Sequence, residues 1–92
     1  MNQEQAEILA LKALGWLAGN DELLPVFLGS TGASAEDLRV RAQDCEFLSS
    51  VLEFLMMDDA WIVAFCDAEG LNYADPARAR AALPGARAVH WT

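Results

Sequence analysis

Basic residues are scarce in this sequence, and between Asp44 and Gly70 there is no Lys, Arg or His at all. The chain has 92 residues, with 6 Lys and Arg against 14 Asp and Glu, a formal charge of −8. Nucleic-acid phosphates are held by Lys and Arg, so this balance argues against a nucleic-acid partner. It equally disfavours an anionic membrane surface. Thr occurs only at Thr31 and Thr92, and Val and Ile are few. Strands favour those residues, so their shortage beside plentiful Ala points to helix. Two cysteines, Cys45 and Cys66, are too few for a disulfide framework and read as thiols of a reducing compartment. No apolar run is long enough for a membrane span. Glu4 and Glu7 precede the first apolar run and Lys12 interrupts it, which is not the pattern of a signal peptide. These absences predict a small cytoplasmic protein of one domain.

What is present is helical periodicity. A first helix over 3–19 carries Leu9, Ala13, Trp16 and Leu17 on one stripe, with Ala6 and Ala10 beside them. Ile8 and Leu11 form a second apolar face, which suggests a central helix or a self-association surface. Asn20 is the expected N-cap of a short helix over 21–28, with Pro25 in or near its first turn and Gly29-Ser30-Thr31-Gly32 as its stop. Ser34 and Asp37 approximate a capping box for a third helix. Its buried stripe is Leu38 and Ala42, and Glu36 to Arg39 and Asp37 to Arg41 are its expected ion pairs.

Asp44 caps a fourth helix that turns Phe47, Leu48, Val51, Leu52, Phe54 and Leu55 inward and Glu46, Ser50 and Glu53 outward. Asp58 or Asp59 caps a fifth, with Ile62, Phe65 and Cys66 inward and Gly70 as its left-handed terminator. Asp75 followed by Pro76 opens a sixth helix that runs to Leu83, before Pro84-Gly85. Residues 1–85 thus form one helical domain, and 86–92, with Trp91, a tail without pattern.

The two halves match at an offset of about thirty-eight residues. Leu9 corresponds to Phe47, Leu14 to Leu52, Leu17 to Leu55, Asn20-Asp21 to Asp58-Asp59, Phe27 to Phe65 and Gly32 to Gly70. After one inserted residue, Arg39-Val40-Arg41-Ala42 corresponds to Arg78-Ala79-Arg80-Ala81. The expected fold is therefore all-α: about six helices, as two pseudo-repeated three-helix units packed in one compact bundle.

Several strings carry a family likeness: Ala13-Leu14-Gly15-Trp16-Leu17-Ala18, Phe27-Leu28-Gly29-Ser30-Thr31-Gly32, Asp37-Leu38-Arg39-Val40-Arg41-Ala42, Phe47-Leu48 with Val51-Leu52, Ala64-Phe65-Cys66-Asp67-Ala68-Glu69-Gly70-Leu71 and Ala77 to Gly85. The chain resembles, over nearly its whole length, the short bacterial proteins catalogued as domain of unknown function 3572. That resemblance implies a bacterial cytosolic helical protein and brings no catalytic residue with it.

Chemistry-bearing patterns are weak. Glu53, Asp58 and Asp59 lack the alternating ligands and mid-loop glycine of a calcium loop, and Asp58-Asp59 reads as helix capping. The single histidine, His90, is the one conceivable base for Cys66, and it stands in the unpatterned tail. Gly29-Ser30-Thr31-Gly32 has no P-loop lysine and no preceding strand. No catalytic, metal or cofactor site is expected. A three-helix unit with a glycine turn resembles helix-turn-helix, with Arg39 and Arg41, or Arg78 and Arg80, available to phosphates.

The leading expectation is nevertheless a non-enzymatic interaction or regulatory protein that meets a basic protein partner on its acidic face. The candidate surface residues are Glu46, Glu53, Asp59 and Trp61, with Met56 and Met57 nearby. Self-association through Ile8 and Leu11 is a further expectation. A nucleic-acid binder, or a regulator of one, is the alternative.

Overall fold

Four of the six described helices begin where a short polar side chain satisfies a free amide of the first turn. In the computed structural model, which describes residues 1–84, the helices are α1 (Gln3–Ala18), α2 (Leu23–Thr31), α3 (Ala35–Val40), α4 (Cys45–Leu55), α5 (Asp59–Glu69) and α6 (Asp75–Ala82). No strand occurs among the described residues. The expected tail, with His90 and Trp91, lies outside them.

The α1 start is a reciprocal cap that the sequence reading missed. The Asn2 side chain accepts from the Gln5 amide at 2.8 Å, and the Gln5 side chain accepts from the Asn2 amide at 3.1 Å. Ser34 and Asp37 form the same box at α3, as expected. Asp44 and Asp58 accept from the amides of Glu46 and Ala60, both at 2.9 Å, and open α4 and α5.

Three boundaries differ from expectation. The Asn20 side chain does accept from the amides of Glu22 and Leu23, both at 3.0 Å. Asp21 and Glu22 are spent on that turn, however, so α2 starts at Leu23 and Pro25 falls in its first turn. It then runs through Gly29 and stops only at Gly32, whose φ of 74° is left-handed and therefore suits glycine. Asp75 is the first residue of α6 rather than its N-cap. Its carboxylate reaches back to the Asn72 amide at 3.2 Å. Gly70 ends α5 with φ 69°, as expected.

The core follows from α1. Ala6, Ala10, Ala13 and Leu17 are fully buried, and Leu9 and Leu14 nearly so. This face packs mainly on α6 and α4, which also pack on each other, while α2 and α5 close over the sides. The inward face of α4 is the predicted one: Phe47, Leu48, Val51, Leu52, Phe54 and Leu55 are all buried.

Aromatic rings join the elements. Phe27 of α2 stands edge-on to Phe47 at 6.0 Å and to Phe54 at 5.3 Å, and Phe54 stacks on Trp61 at 4.7 Å. Trp16 meets Phe65 edge-on at 5.8 Å. Each such pair adds about 0.5–1.5 kcal/mol beyond the area it buries. The two Arg-x-Arg helices are not used alike: α6 buries Pro76 and Ala79, whereas α3 buries no residue completely. Leu38 and Ala42 are therefore half-buried against the core and not within it.

Ser49 is a local conflict. It is buried on α4, and its hydroxyl has no hydrogen-bond partner. Replacing Ser49 by Ala removes a desolvated hydroxyl and improves helix propensity, so the variant should gain about 0.5–1 kcal/mol in denaturant unfolding. Phe27→Ala should lose about 3–5 kcal/mol, because the ring is fully buried between two others. Val40→Ala, at a position 71% exposed, should change stability by less than about 0.5 kcal/mol.

Candidate functional site

Most charged side chains of this protein are committed to its own structure. Asp37, Asp44 and Asp58 cap helices through backbone amides. All four arginines among the described residues have carboxylate partners. Arg39 meets Glu36 at 3.4 Å, as expected, and Arg78 meets Asp75 at 3.7 Å. Arg41 departs from expectation. Asp37 is held by the Ser34 amide and α3 ends at Val40, so Arg41 turns to Asp44 at 3.4 Å and lies over the Phe47 ring at 4.7 Å. Arg80 reaches from α6 to Glu53 of α4 at 3.1 Å. That bond closes the last helix onto the acidic side of the molecule.

Around the α4–α5 turn the structure gathers a mixed apolar and acidic surface. Met57 is 74% exposed and Met56 is also exposed. Glu53, Met56, Met57 and Arg80 line one shallow concavity. Met56, Asp59, Ile62, Tyr73 and Ala77 line a second of about 180 Å³. Met56 belongs to both, so the two adjoin at its side chain. Of the four candidate residues, Glu53 and Asp59 come together here. Glu53 brings Arg80 with it and is half-buried. Glu46 lies at the other end of α4, roughly 15 Å from Met56 at 1.5 Å per residue. Trp61 lines neither concavity, and its ring is half-buried on Phe54.

Tyr73 was not singled out from the sequence. It sits in the α5–α6 loop, where no periodicity marks it, and its hydroxyl donates to Asp67 at 2.8 Å. That hydrogen bond, with the charge of Asp67, raises the phenol above its ordinary value of 10.0. The thiols are raised as well. Burial pushes Cys66 up, with its Sγ donating to the Asn72 carbonyl at 3.4 Å. Burial and Glu7, 3.5 Å away, do the same for Cys45. Both cysteines are free and are held as thiols. Among the described residues, no group of three or more His, Cys, Asp and Glu converges as a metal site requires. No helix there is long and apolar enough to cross a membrane.

The geometry defines a small, acidic, all-helical protein whose surface features are grooves between helices. The chain belongs to the family described as protein of unknown function (DUF3572), which matches residues 3–86. No curated protein and no solved structure matches it.

Tyr73 is the single tyrosine, so its titration can be followed directly. Its phenolate absorbance should rise at a pH above 10.0, and in Asp67→Asn the transition should move back toward that value. A raised folded value favours the protonated side chain. Its contribution to stability is therefore present below the unfolded value and is lost as pH climbs through the folded one. Cys45 and Cys66 act with the same sign, so these three groups weaken the fold on the alkaline side. Thermal melts from neutral to alkaline pH should show this.

Proposed function

We propose that the protein is a non-enzymatic interaction module that docks a basic, amphipathic partner helix across the α4–α5 turn. One observation carries the reading. Met56 and Met57 are exposed, Met56 beside Tyr73 and Asp59 and Met57 beside Glu53, whose charge is met by Arg80, in a part of the sequence without a cation between Arg41 and Arg78. Methionine is adaptable and polarizable and recurs where a surface must accept apolar side chains of varied shape. Asp59 beside Met56 and Asp67 at Tyr73 favour a partner with lysines or arginines flanking its apolar face. Free thiols at Cys45 and Cys66 suit a reducing cytosol. The nucleic-acid reading has less support, because Arg39, Arg41, Arg78 and Arg80 are each paired with an acid.

We also read the two halves as related units. The left-handed glycines Gly32 and Gly70 and the buried rings Phe27 and Phe65 support this, while the unlike packing of α3 and α6 indicates that the copies have diverged.

A labelled amphipathic helix of leucine and lysine is the simplest probe. It should bind with an affinity that falls as salt rises. Asp59→Asn and Met57→Ala should each weaken it about five-fold without shifting the thermal midpoint, since both positions are exposed. Binding that ignores salt and both substitutions counts against this surface.

A further inference from the structure

The outer face of α1 carries a second, independent feature. Its inner face is filled by α4 and α6, yet Ile8 is 53% and Leu11 is 43% exposed on the opposite side. Met1, Glu4, Gln5, Lys12 and Gly15 are exposed along the same stripe. A groove of about 370 Å³ runs beside it, with Gln5, Ile8 and Lys12 on one wall and Leu71 and the paired Asp75 and Arg78 on the other. Lys12 is the one Lys or Arg side chain among the described residues without a carboxylate partner. Glu4, on that same stripe, also has no cation beside it there.

The spacing is symmetric. Glu4 precedes Ile8 by four residues and Lys12 follows it by four. Each charge therefore stands about 6 Å from Ile8 along the axis, at 1.5 Å per residue. Two-fold interfaces are self-complementary: the patch must bind its own image. We infer that α1 pairs with α1 of a second copy, antiparallel, with Ile8 at the two-fold axis. In that register Glu4 of each copy faces Lys12 of the other, so both unpaired charges are matched twice. Leu11 of each copy lies with Leu11 of the other on one flank of the seam, while Gln5 and the groove lie on the opposite flank. Gly15, where an added side chain would meet nothing within 4 Å, leaves room opposite Met1 of the second copy.

The contact is separate from the Met56–Met57 surface, so either can fail without the other. Sedimentation equilibrium on the full chain tests it. The mass should rise toward that of two chains with concentration, and Ile8→Asp should hold it at one, with unchanged helicity and thermal midpoint. Glu4→Lys and Lys12→Glu should each weaken dimerisation about ten-fold, because each replaces two attractions by two repulsions. The combined Glu4→Lys, Lys12→Glu variant should return to the affinity of the unaltered chain, since the axis reverses both charges together. A one-chain mass at every concentration overturns the proposal. So does a dimer indifferent to Ile8→Asp, or a combined variant no tighter than the single ones.

Discussion

The closeness of α1 to its neighbours is the constraint on which the rest of the structure depends. Ala6, Ala10 and Ala13 are buried to zero exposure on one stripe. Helix axes normally lie 8–10 Å apart, and the side chains at the contact set where in that range a pair falls. Methyl groups at the contact allow α4 and α6 a close approach. The alanines themselves bring little apolar area. Their effect is to let Leu48, Val51, Leu52 and Leu55 on one side and Ala79 and Leu83 on the other reach a common interior. Dispersion contacts reward that density, because each buried side chain gains many small attractions at once.

The second tie is aromatic. Phe27 stands between Phe47 and Phe54, Phe54 carries Trp61, and Arg41 closes the far end of the row over Phe47. These groups come from α2, α4, α5 and the residue that follows α3. A short helix such as α2 is marginal alone. Here its ring fixes it between two rings of a better-packed helix. With the phenylalanines used in this way, Met56, Met57, Tyr73, Ile8 and Leu11 are among the exposed large apolar side chains, beside Met1, Val26, Val40 and Val63.

Local signals were legible in the sequence, and tertiary ones were not. Ser34, Asp44 and Asp58 cap, and Gly70 terminates, where expected, since capping depends on residues within three or four positions. The buried face of α4 was readable because apolar residues at helical spacing have one place to go. Arg80 to Glu53 spans 27 residues and depends on how α6 lies across α4. No period in the sequence encodes it. Ser49 is buried because of its angle on α4, against its chemistry, and Ser50 beside it was the serine that polarity made visible. The repeat shows the same division. The turns at Gly32 and Gly70 agree, but α3 rests on the surface and α6 enters the core. Of the four candidate surface residues, Glu53 and Asp59 converge because Met56 links their concavities. Glu46 is separated from them by the length of α4.

The acidity of the chain also changes meaning once its carboxylates are placed. Asp37, Asp44 and Asp58 accept backbone amides at helix starts, where the helix dipole favours negative charge. Glu36, Glu53 and Asp75 hold arginines. Part of the acidity is thus structural, with caps and arginine pairs holding six of the carboxylates. What remains is unevenly spread. Asp59 and Asp67 lie near exposed methionines and a tyrosine, and Lys12 lies on a different helix beside exposed Ile8 and Leu11. An apolar patch beside unpaired charge of one sign selects partners of the opposite sign, because wrong pairings leave like charges face to face. The Met56–Met57 surface therefore discriminates against this chain's own acidic faces. The α1 stripe, with one acid and one base placed symmetrically about Ile8, is complementary to itself. As proposed, the two surfaces differ in character, so a foreign helix and a second copy would not compete for either of them.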